Sequence, residues 1–238
     1  MAYQEQDAYG KIWSTKLTAN DSTAKETLGA IRELADGRRF RYMRMTGSAG
    51  ALGKLVMPAT KVTVTNATSA NGTGPDGATT TIITDSDATW TTDAYVGWYF
   101  QLATAMTGST EPIKIVGNTA TTLTLEKQIT TALATGGTDD GEILAGTAAG
   151  ILSTTSDLDI PITGVGIGTI TENYYGWFQI SGIAAVYSDA ITEGSAVSSG
   201  GDAAGKAVAR AGADDNYIGV CVAASGTGEY SLVDLCIA

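Results

Sequence analysis

Short runs of β-branched and aromatic residues recur along this chain, and turns rich in glycine, asparagine or aspartate separate them. Examples are KVTVTNAT from Lys61, TTTIITD from Thr79 and EYSLVDLCIA from Glu229. Runs of this kind are typical of β-strands, and the 30 glycines supply the turns. A chain of 238 residues can bury a substantial core without disulfides or metals. The sequence therefore predicts an all-β fold, a Gly/Thr-rich antiparallel β sandwich or barrel.

Composition divides the chain into four segments. Residues 1–27 are polar and poor in β-branched residues, which predicts an extended N-terminal arm rather than packed structure. Residues 28–61 predict a basic β-hairpin that belongs to the core, and residues 147–238 predict the main β domain. Residues 62–146 contain short β-type runs between turn signals, so they predict a second, small all-β module inserted into the main domain.

The basic segment contains a strong hairpin signal. Asp36-Gly37 separates the runs LGAIRELA and RRFRYMRM, and an Asp-Gly pair between two such runs favours a tight turn. The alternative is a short helix that ends at Ala35, because Thr23 and Glu26 could form a capping box at its start. We prefer the hairpin.

Charge is unevenly distributed along the sequence. The net charge is −11, but residues 1–61 contain ten of the fourteen basic residues and six acidic ones, a net of +4. The remainder therefore has a net charge of −15. An acidic partner surface would attract the N-terminal part and repel the rest, so we expect the N-terminal part to carry any attachment to a partner.

The basic residues are densest in one run of seven residues, which contains the four arginines Arg38, Arg39, Arg41 and Arg44. Strand alternation predicts that Phe40 and Tyr42 share one face and that Arg39 and Arg41 share the other. Phosphate or base binding is one interpretation, but no recognised nucleic-acid module accompanies the run. A solvated strand face is another. We favour pairing with carboxylates of a protein partner, which suits the planar guanidinium group.

The chain contains no histidine, which excludes Ser/His/Asp triads, histidine general bases and histidine-ligated metals. Acidic pairs remain as candidates for carboxylate chemistry: Asp85 with Asp87, Asp139 with Asp140, Asp157 with Asp159, and Asp214 with Asp215. Most lie beside Ser, Thr, Gly or Asn, where aspartate side chains commonly stabilise turns. We expect no enzymatic activity, no cofactor and no metal.

Aromatic residues cluster in the predicted inserted module. Trp90, Tyr95, Trp98 and Tyr99 lie within ten residues of one another and are followed by Phe100. Aromatic residues bury large apolar areas, so a module core is the simpler interpretation. A glycan-binding platform is the alternative.

The cysteines and the N-terminal sequence bear on disulfide bonding, secretion and membrane insertion. If Ser225–Gly228 forms a hairpin turn, Cys221 lies opposite about Leu232, and Cys236 lies ~13 Å further along, too far for a disulfide. Both cysteines are expected to be reduced and buried. The sequence has no signal-peptide pattern and no run of apolar residues long enough to span a membrane.

Three stretches resemble tailed-phage capsid decoration (cement) proteins. The opening hairpin of such proteins is similar to residues 28–58, LGAIRELADGRRFRYMRMTGSAGALGKLVMP. Their central strand pair is similar to residues 174–197, YYGWFQISGIAAVYSDAITEGSAV, and their closing hairpin to residues 217–238, YIGVCVAASGTGEYSLVDLCIA. A small β unit of phage structural and fibre proteins is similar to DSDATWTTDAYVGWYFQLAT and IKIVGNTATTLTLE, from residues 85 and 113.

The resemblance implies a structural virion protein on the outer capsid surface, made in the host cytoplasm. Its implied partners are the major capsid protein and further copies of itself, in a trimer that stabilises contacts between capsomers. Direct nucleic-acid binding and membrane binding are not implied. A tail, baseplate or head-fibre protein is the first alternative, and a carbohydrate-binding β module is the second.

Overall fold

The structure is a computed structural model that describes residues 5–8, 10–73, 79–102, 111–129, 133, 141–154, 161–213 and 215–237. Within these ranges the chain forms strands and no helix, so the predicted all-β class is confirmed. None of the described residues forms a helix that could cross a membrane. The chain divides into two compact units. The first unit is Met1–Ala59 with Thr147–Ala238, and the second unit is Thr60–Gly146.

The described strands in chain order are β1 (Glu5–Gln6), β2 (Ile12–Trp13), β3 (Ile31–Glu33), β4 (Arg39–Met45), β5 (Leu55–Pro58), β6 (Val62–Val64), β7 (Thr68–Thr73), β8 (Thr79–Thr84), β9 (Tyr99–Leu102), β10 (Ile113–Asn118), β11 (Thr122–Leu125), β12 (Gly141–Leu144), β13 (Ala149–Leu152), β14 (Gly164–Gly166), β15 (Tyr175–Ser188), β16 (Ala196–Ser199), β17 (Ala207–Ala209), β18 (Gly219–Ala223) and β19 (Glu229–Cys236).

The first unit is organised around the 14-residue strand β15. Its first half pairs with β4 on one side and β14 on the other, and its second half pairs with β19 and β17. Two circuits of paired strands therefore share β15. One runs β15-β14-β5-β13-β4, and the other runs β15-β19-β18-β16-β17.

Buried apolar side chains fill the first unit in separate clusters. Met43, Met45, Val56 and Phe178 form one cluster with Ile170. A larger cluster beneath the second circuit includes Val186, Val197, Cys221, Val233 and Leu235. A third joins Trp13, Phe40, Tyr42 and Trp177. Along β19 buried and exposed side chains alternate, whereas most side chains of β4 are buried.

The predicted hairpin is confirmed, and the alternative helix is wrong. β3 pairs antiparallel with β4, with Arg32 opposite Phe40 and Glu33 opposite Arg39. Gly37 in the turn has a φ of 85°, a left-handed conformation that favours glycine. The predicted alternation also holds, since Phe40 and Tyr42 enter the same aromatic cluster.

The prediction that the N-terminal arm lacks packed structure is wrong for residues 11–27. Trp13 is only 1% exposed and makes an edge-to-face contact with Trp177, with ring centroids 5.0 Å apart. Trp177 Nε1 donates to Thr15 Oγ1 at 2.8 Å, and Asp21 bridges to Tyr175. A single tryptophan buries enough apolar area to dock this otherwise polar segment.

The second unit contains a seven-stranded sheet in the order β6-β12-β9-β10-β11-β8-β7. Its buried side chains include Ile83, Phe100, Ile115, Leu123 and Ile143. Neighbouring strands in this sheet run antiparallel. Residues 62–146 were predicted as an inserted module, and the second unit covers nearly the same range.

The two cysteines differ in exposure. Cys221 is buried and pairs with Val233 rather than Leu232, because a register shift between Cys221 and Ala223 displaces the pairing. Cys236 is exposed, so the prediction that it is buried is wrong. Alternation along β19 points Val233 and Leu235 into the core, and Cys236 therefore points away from it. Both thiols are free.

Candidate binding surfaces

The arginine run does not form one surface. Arg38 Nε lies 2.7 Å from Asp36 Oδ2, and Arg39 Nε lies 3.7 Å from Glu33 Oε2, so both pair with carboxylates of their own hairpin. The hydrogen bonds from Arg38 lower the pKa of the Asp36 carboxyl below its usual value. These two arginines keep substantial exposure and remain candidates for partner binding.

The side chains of the other two arginines make contacts within the first unit. Arg41 is 8% exposed, and its guanidinium donates to the carbonyl of Thr163 at 3.3 Å. Burial lowers the pKa of Arg41 from its ordinary value. Arg44 donates to Asn173 Oδ1 and lies over the ring of Tyr175. Arg41 therefore does not fit the interpretation as a partner-binding residue.

Sequence reasoning missed a fifth arginine, Arg32, whose side chain is fully buried. Its Nη1 donates to the Thr15 carbonyl at 3.3 Å, and its guanidinium carbon lies 6.0 Å from the centre of the Trp177 ring. The sequence shows that Arg32 lies between Ile31 and Glu33 in a strand. It does not show that the N-terminal segment packs over the Arg32 side chain.

The net charge differs strongly between the two parts of the sequence, but it is similar in the two folded units. Residues 1–59 join the acidic residues 147–238 in the first unit, which holds eleven basic and sixteen acidic residues, a net of −5. The second unit holds three basic and nine acidic residues, a net of −6. Charge alone therefore does not set the orientation of the protein on a partner.

The aromatic run of the second unit is mainly packed. Trp98 is buried, and Tyr95 makes edge-to-face contacts with Trp90 and Trp98, with centroid distances of 6.0 and 5.2 Å. Tyr99 is 39% exposed, since alternation along β9 turns it away from Phe100. Perpendicular rings do not present one flat platform, so the packing favours the core interpretation over a glycan site.

The acidic pairs that the structure describes are turn residues. Asp85 Oδ1 accepts hydrogen bonds from the backbone N–H groups of Asp87 and Ala88. Asp215 Oδ2 accepts from the backbone N–H groups of Ala211 and Gly212. The pairs at 139–140 and 157–159, and residue 214, lie outside the described residues. Among the described residues, no group of three or more acidic or cysteine side chains could hold a metal.

A lysine ion-pair cluster was not predicted from the sequence. Lys206 is almost fully buried, and its Nζ contacts Asp189 Oδ1 and lies 2.5 Å from Asp202 Oδ1. These hydrogen bonds raise the pKa of Lys206, Asp189 contributing most. Lys54 lies 3.9 Å from the ring centre of Tyr187 and donates to the Ala204 carbonyl. The cluster ties the loop before β17 to β15.

One face of the second circuit is apolar and open. Across β15 and β19, Ile183 lies opposite Asp234, Ala185 opposite Leu232, and Tyr187 opposite Tyr230. We call this surface the outer face, together with the adjacent Val222 of β18 and Cys236 of β19. Its large apolar members Ile183, Val222, Tyr230 and Leu232 are 39 to 48% exposed. Polar residues normally occupy the solvated face of an antiparallel sheet, so this face is a candidate contact surface.

The outer face ends in a shallow groove of about 550 Å³. Its lining residues come from the β3–β4 turn, β15 and β19: Asp36, Gly37, Arg38, Gly182, Ile183 and Asp234. Gly182 has a φ of 80°, and an added Cβ would lie 2.9 Å from Arg38 Cγ, so the turn approaches β15 closely. The groove therefore contains two carboxylates, Asp36 and Asp234, and one guanidinium, that of Arg38, which is paired with Asp36.

Comparison with known proteins found no matching family model, no similar curated protein and no similar solved structure.

Proposed function

We propose that this chain is a structural virion protein that binds the outer surface of a tailed-phage capsid and stabilises contacts between capsomers. The proposal joins the resemblance of residues 28–58, 174–197 and 217–238 to the arrangement of those residues in the fold. It treats the protein as a binding component rather than an enzyme, with the major capsid protein as its partner.

The observation that carries the proposal is the assembly of the three resembling stretches. Residues 28–58 supply β3, β4 and β5, residues 174–197 supply β15 and the start of β16, and residues 217–238 supply β18 and β19. All of these strands belong to the ten-stranded sheet of the first unit, where β15 pairs with both β4 and β19. Stretches that resemble one family are thus direct neighbours in space.

The outer face offers the means of attachment. Interfaces combine an apolar centre with a polar rim, and here Ile183 and Leu232 lie between Arg38 and the Tyr187–Tyr230 pair. Arg38 and Arg39 are the exposed arginines at this end of the sheet. A capsid subunit that presents carboxylates opposite these arginines would complete the contact.

Imaging of purified particles by electron cryomicroscopy tests the proposal. We expect the protein in a regular lattice over the shell, with the first unit against capsid subunits. Density confined to one vertex, to the tail or to fibres would favour the alternative of a tail, baseplate or head-fibre protein and would overturn the proposal.

A binding assay with capsids that lack the protein adds a residue-level test. Arg39→Ala should lower occupancy on the shell, and Lys127→Ala in the second unit serves as the matched exposed control. Equal occupancy of both variants and the wild type would remove Arg39 from the attachment surface.

A further inference from the structure

We propose that Lys206 and Asp189 react within the folded chain to form an amide cross-link between their side chains. The proposal concerns the isolated protein and does not depend on capsid binding. It rests on the contact of the Lys206 ammonium with two carboxylates, those of Asp189 and Asp202, beside the junction of β15 and β17. The product is a covalent closure of the second circuit.

The backbone holds the two reacting side chains at adjacent strand ends. Asp189 directly follows β15, and Lys206 directly precedes β17. The two strands pair in parallel through Ser188 and Ala207, and the Asp189 N–H donates to the Ala207 carbonyl at 2.9 Å. In this arrangement Lys206 Nζ contacts Asp189 Oδ1. Groups that are held together in this way react far faster than the same groups free in solution.

The lysine is buried to a degree that is rare for this residue type. Its side chain is 3% exposed, and that of Asp189 is 29% exposed. The centre of the Tyr187 ring lies 5.7 Å from Nζ. Gly201 also packs against the pair, since an added Cβ would lie 2.9 Å from Asp189 Oδ2 and 3.2 Å from Lys206 Cδ. These neighbours limit the access of water to the amine and favour the neutral forms of the reacting groups.

The second carboxylate is placed to carry protons. Asp202 Oδ1 lies 2.5 Å from Nζ, and the Asp202 side chain is 76% exposed. The reaction needs a neutral amine and a protonated carboxyl group, and both arise when one proton moves from Nζ to a contacting carboxylate. The hydrogen bonds to Asp189 and Asp202 raise the pKa of Lys206, but this internal transfer releases no proton to water. Asp202 can therefore act first as general base and then as general acid.

The bond changes balance without an oxidant, a reductant or a cofactor. Lys206 Nζ attacks Asp189 Cγ, so an Nζ–Cγ bond forms and one Cγ–O bond breaks. Two of the three ammonium protons leave with that oxygen as water, and Asp202 transfers them one at a time. The products are one amide and one water molecule, and no residue is oxidised or reduced.

The cross-link would reinforce the shortest pairing of the second circuit. β17 pairs with β15 through one residue pair, whereas β19 pairs with β15 through eight. A covalent bond beside this short pairing also restricts the unfolded chain. We therefore expect the linked protein to unfold at a higher temperature than an unlinked variant.

A second ion pair in the chain provides an internal control. Lys61 contacts Glu142 in the second unit, as Lys206 contacts Asp189 in the first. The Lys61 side chain is 59% exposed, so water surrounds the amine and keeps it charged. We expect this pair to remain an ion pair.

Intact-mass spectrometry of the purified full chain under denaturing conditions tests the proposal directly. We expect the wild type to weigh less than its sequence by the mass of one water molecule, whereas Lys206→Arg and Asp189→Ala should show no such loss. Asp189→Asn should lose ammonia instead, because a carboxamide is also an acceptor for the amine. Asp202→Ala should slow the mass change in freshly made protein by about tenfold or more.

Digestion with a glutamate-specific protease locates the bond. Cleavage after Glu193 separates Asp189 from Lys206 in the sequence, so the two peptides stay joined only through the cross-link. The peptides that contain Lys61 and Glu142 should separate in the same digest. Circular dichroism and thermal melting show whether each variant is folded. A wild-type mass without the loss of water, or peptides that separate after Glu193, would overturn the proposal, while particle imaging still tests the capsid function separately.

Discussion

Strands β4 and β19 both pair with β15, yet one is covered on both faces and the other on only one. Between Phe40 and Met45, five of the six residues of β4 are buried, because the N-terminal segment lies over Phe40 and Tyr42. In β19 burial alternates strictly from Ser231 onward, and the outward residues are exposed. The chain covers the β4 side of β15 with its own N-terminal segment, and the outward face of β19 stays exposed, where we propose that a partner binds.

The largest loss of stability should follow from the removal of Trp13, which packs the N-terminal segment over β4. Trp13→Ala should lower the free energy of unfolding by ~3 to 5 kcal/mol, because it removes a fully buried indole from the contact with Trp177. Its neighbour Ile12 is 56% exposed, so Ile12→Ala should change the free energy by less than about 0.5 kcal/mol. Urea unfolding measures both values, and equal effects would contradict the covering role of residues 11–27.

A smaller effect should follow from the loss of one hydrogen bond beneath that segment. Thr15→Val keeps the shape of the side chain but removes the acceptor of the Trp177 N–H group. An unsatisfied buried donor costs ~1 to 3 kcal/mol, which chemical denaturation can resolve. Thr18→Val at an exposed position of the same segment is the control and should have little effect.

Alkaline pH should affect the covered side through Tyr42. Burial raises the pKa of its hydroxyl to about 12, while the hydrogen bond from the Lys25 N–H opposes that shift. The folded state thus favours the neutral phenol, so its contribution is complete below pH 10 and is lost as pH rises through 12. The loss is at most about 3 kcal/mol. Tyr42→Phe should show a shallower decline in unfolding free energy over this range, and an unchanged decline would refute the assignment.

The smallest effect on stability is expected for substitutions on the exposed face of β19. Leu232→Ser should change the unfolding free energy of the dilute protein by less than about 0.5 kcal/mol, since that side chain is already 42% exposed. Its neighbour Val233 is fully buried, and Val233→Ala should cost ~1 to 3 kcal/mol by leaving a cavity. Similar stabilities for the two variants would indicate that the faces of β19 are not distinguished as described.

Local patterns predicted the elements, but not the contacts between distant segments. Asp36-Gly37 identified the β3–β4 hairpin, and the spacing of Asp85 and Asp87 identified a turn. The closure of two circuits on β15 depends on pairings between segments more than 100 residues apart, such as Phe178 with Arg41. No local pattern encodes such a pairing.

The candidate surfaces were harder to predict, because burial depends on what lies over a strand. Arg41 and Arg39 share a face in the sequence pattern, but Arg41 is covered and Arg39 is not. Asp189 is the ion-pair partner of Lys206, and a strand and a turn separate the two residues along the sequence. Deletion of residues 1–27 would remove Trp13 from the core, so such a variant would report on stability as well as on attachment.

The reactivity of the Cys236 thiol most directly tests whether the outer face is a contact surface. Cys236 lies on that face opposite Ser181, and Cys221 is buried and serves as the internal reference. Alkylation followed by mass spectrometry should show rapid labelling of Cys236 in the free protein and slow labelling in the capsid-bound protein, with Cys221 slow in both. Equal labelling of Cys236 in the free and the capsid-bound protein would contradict the assignment of the outer face.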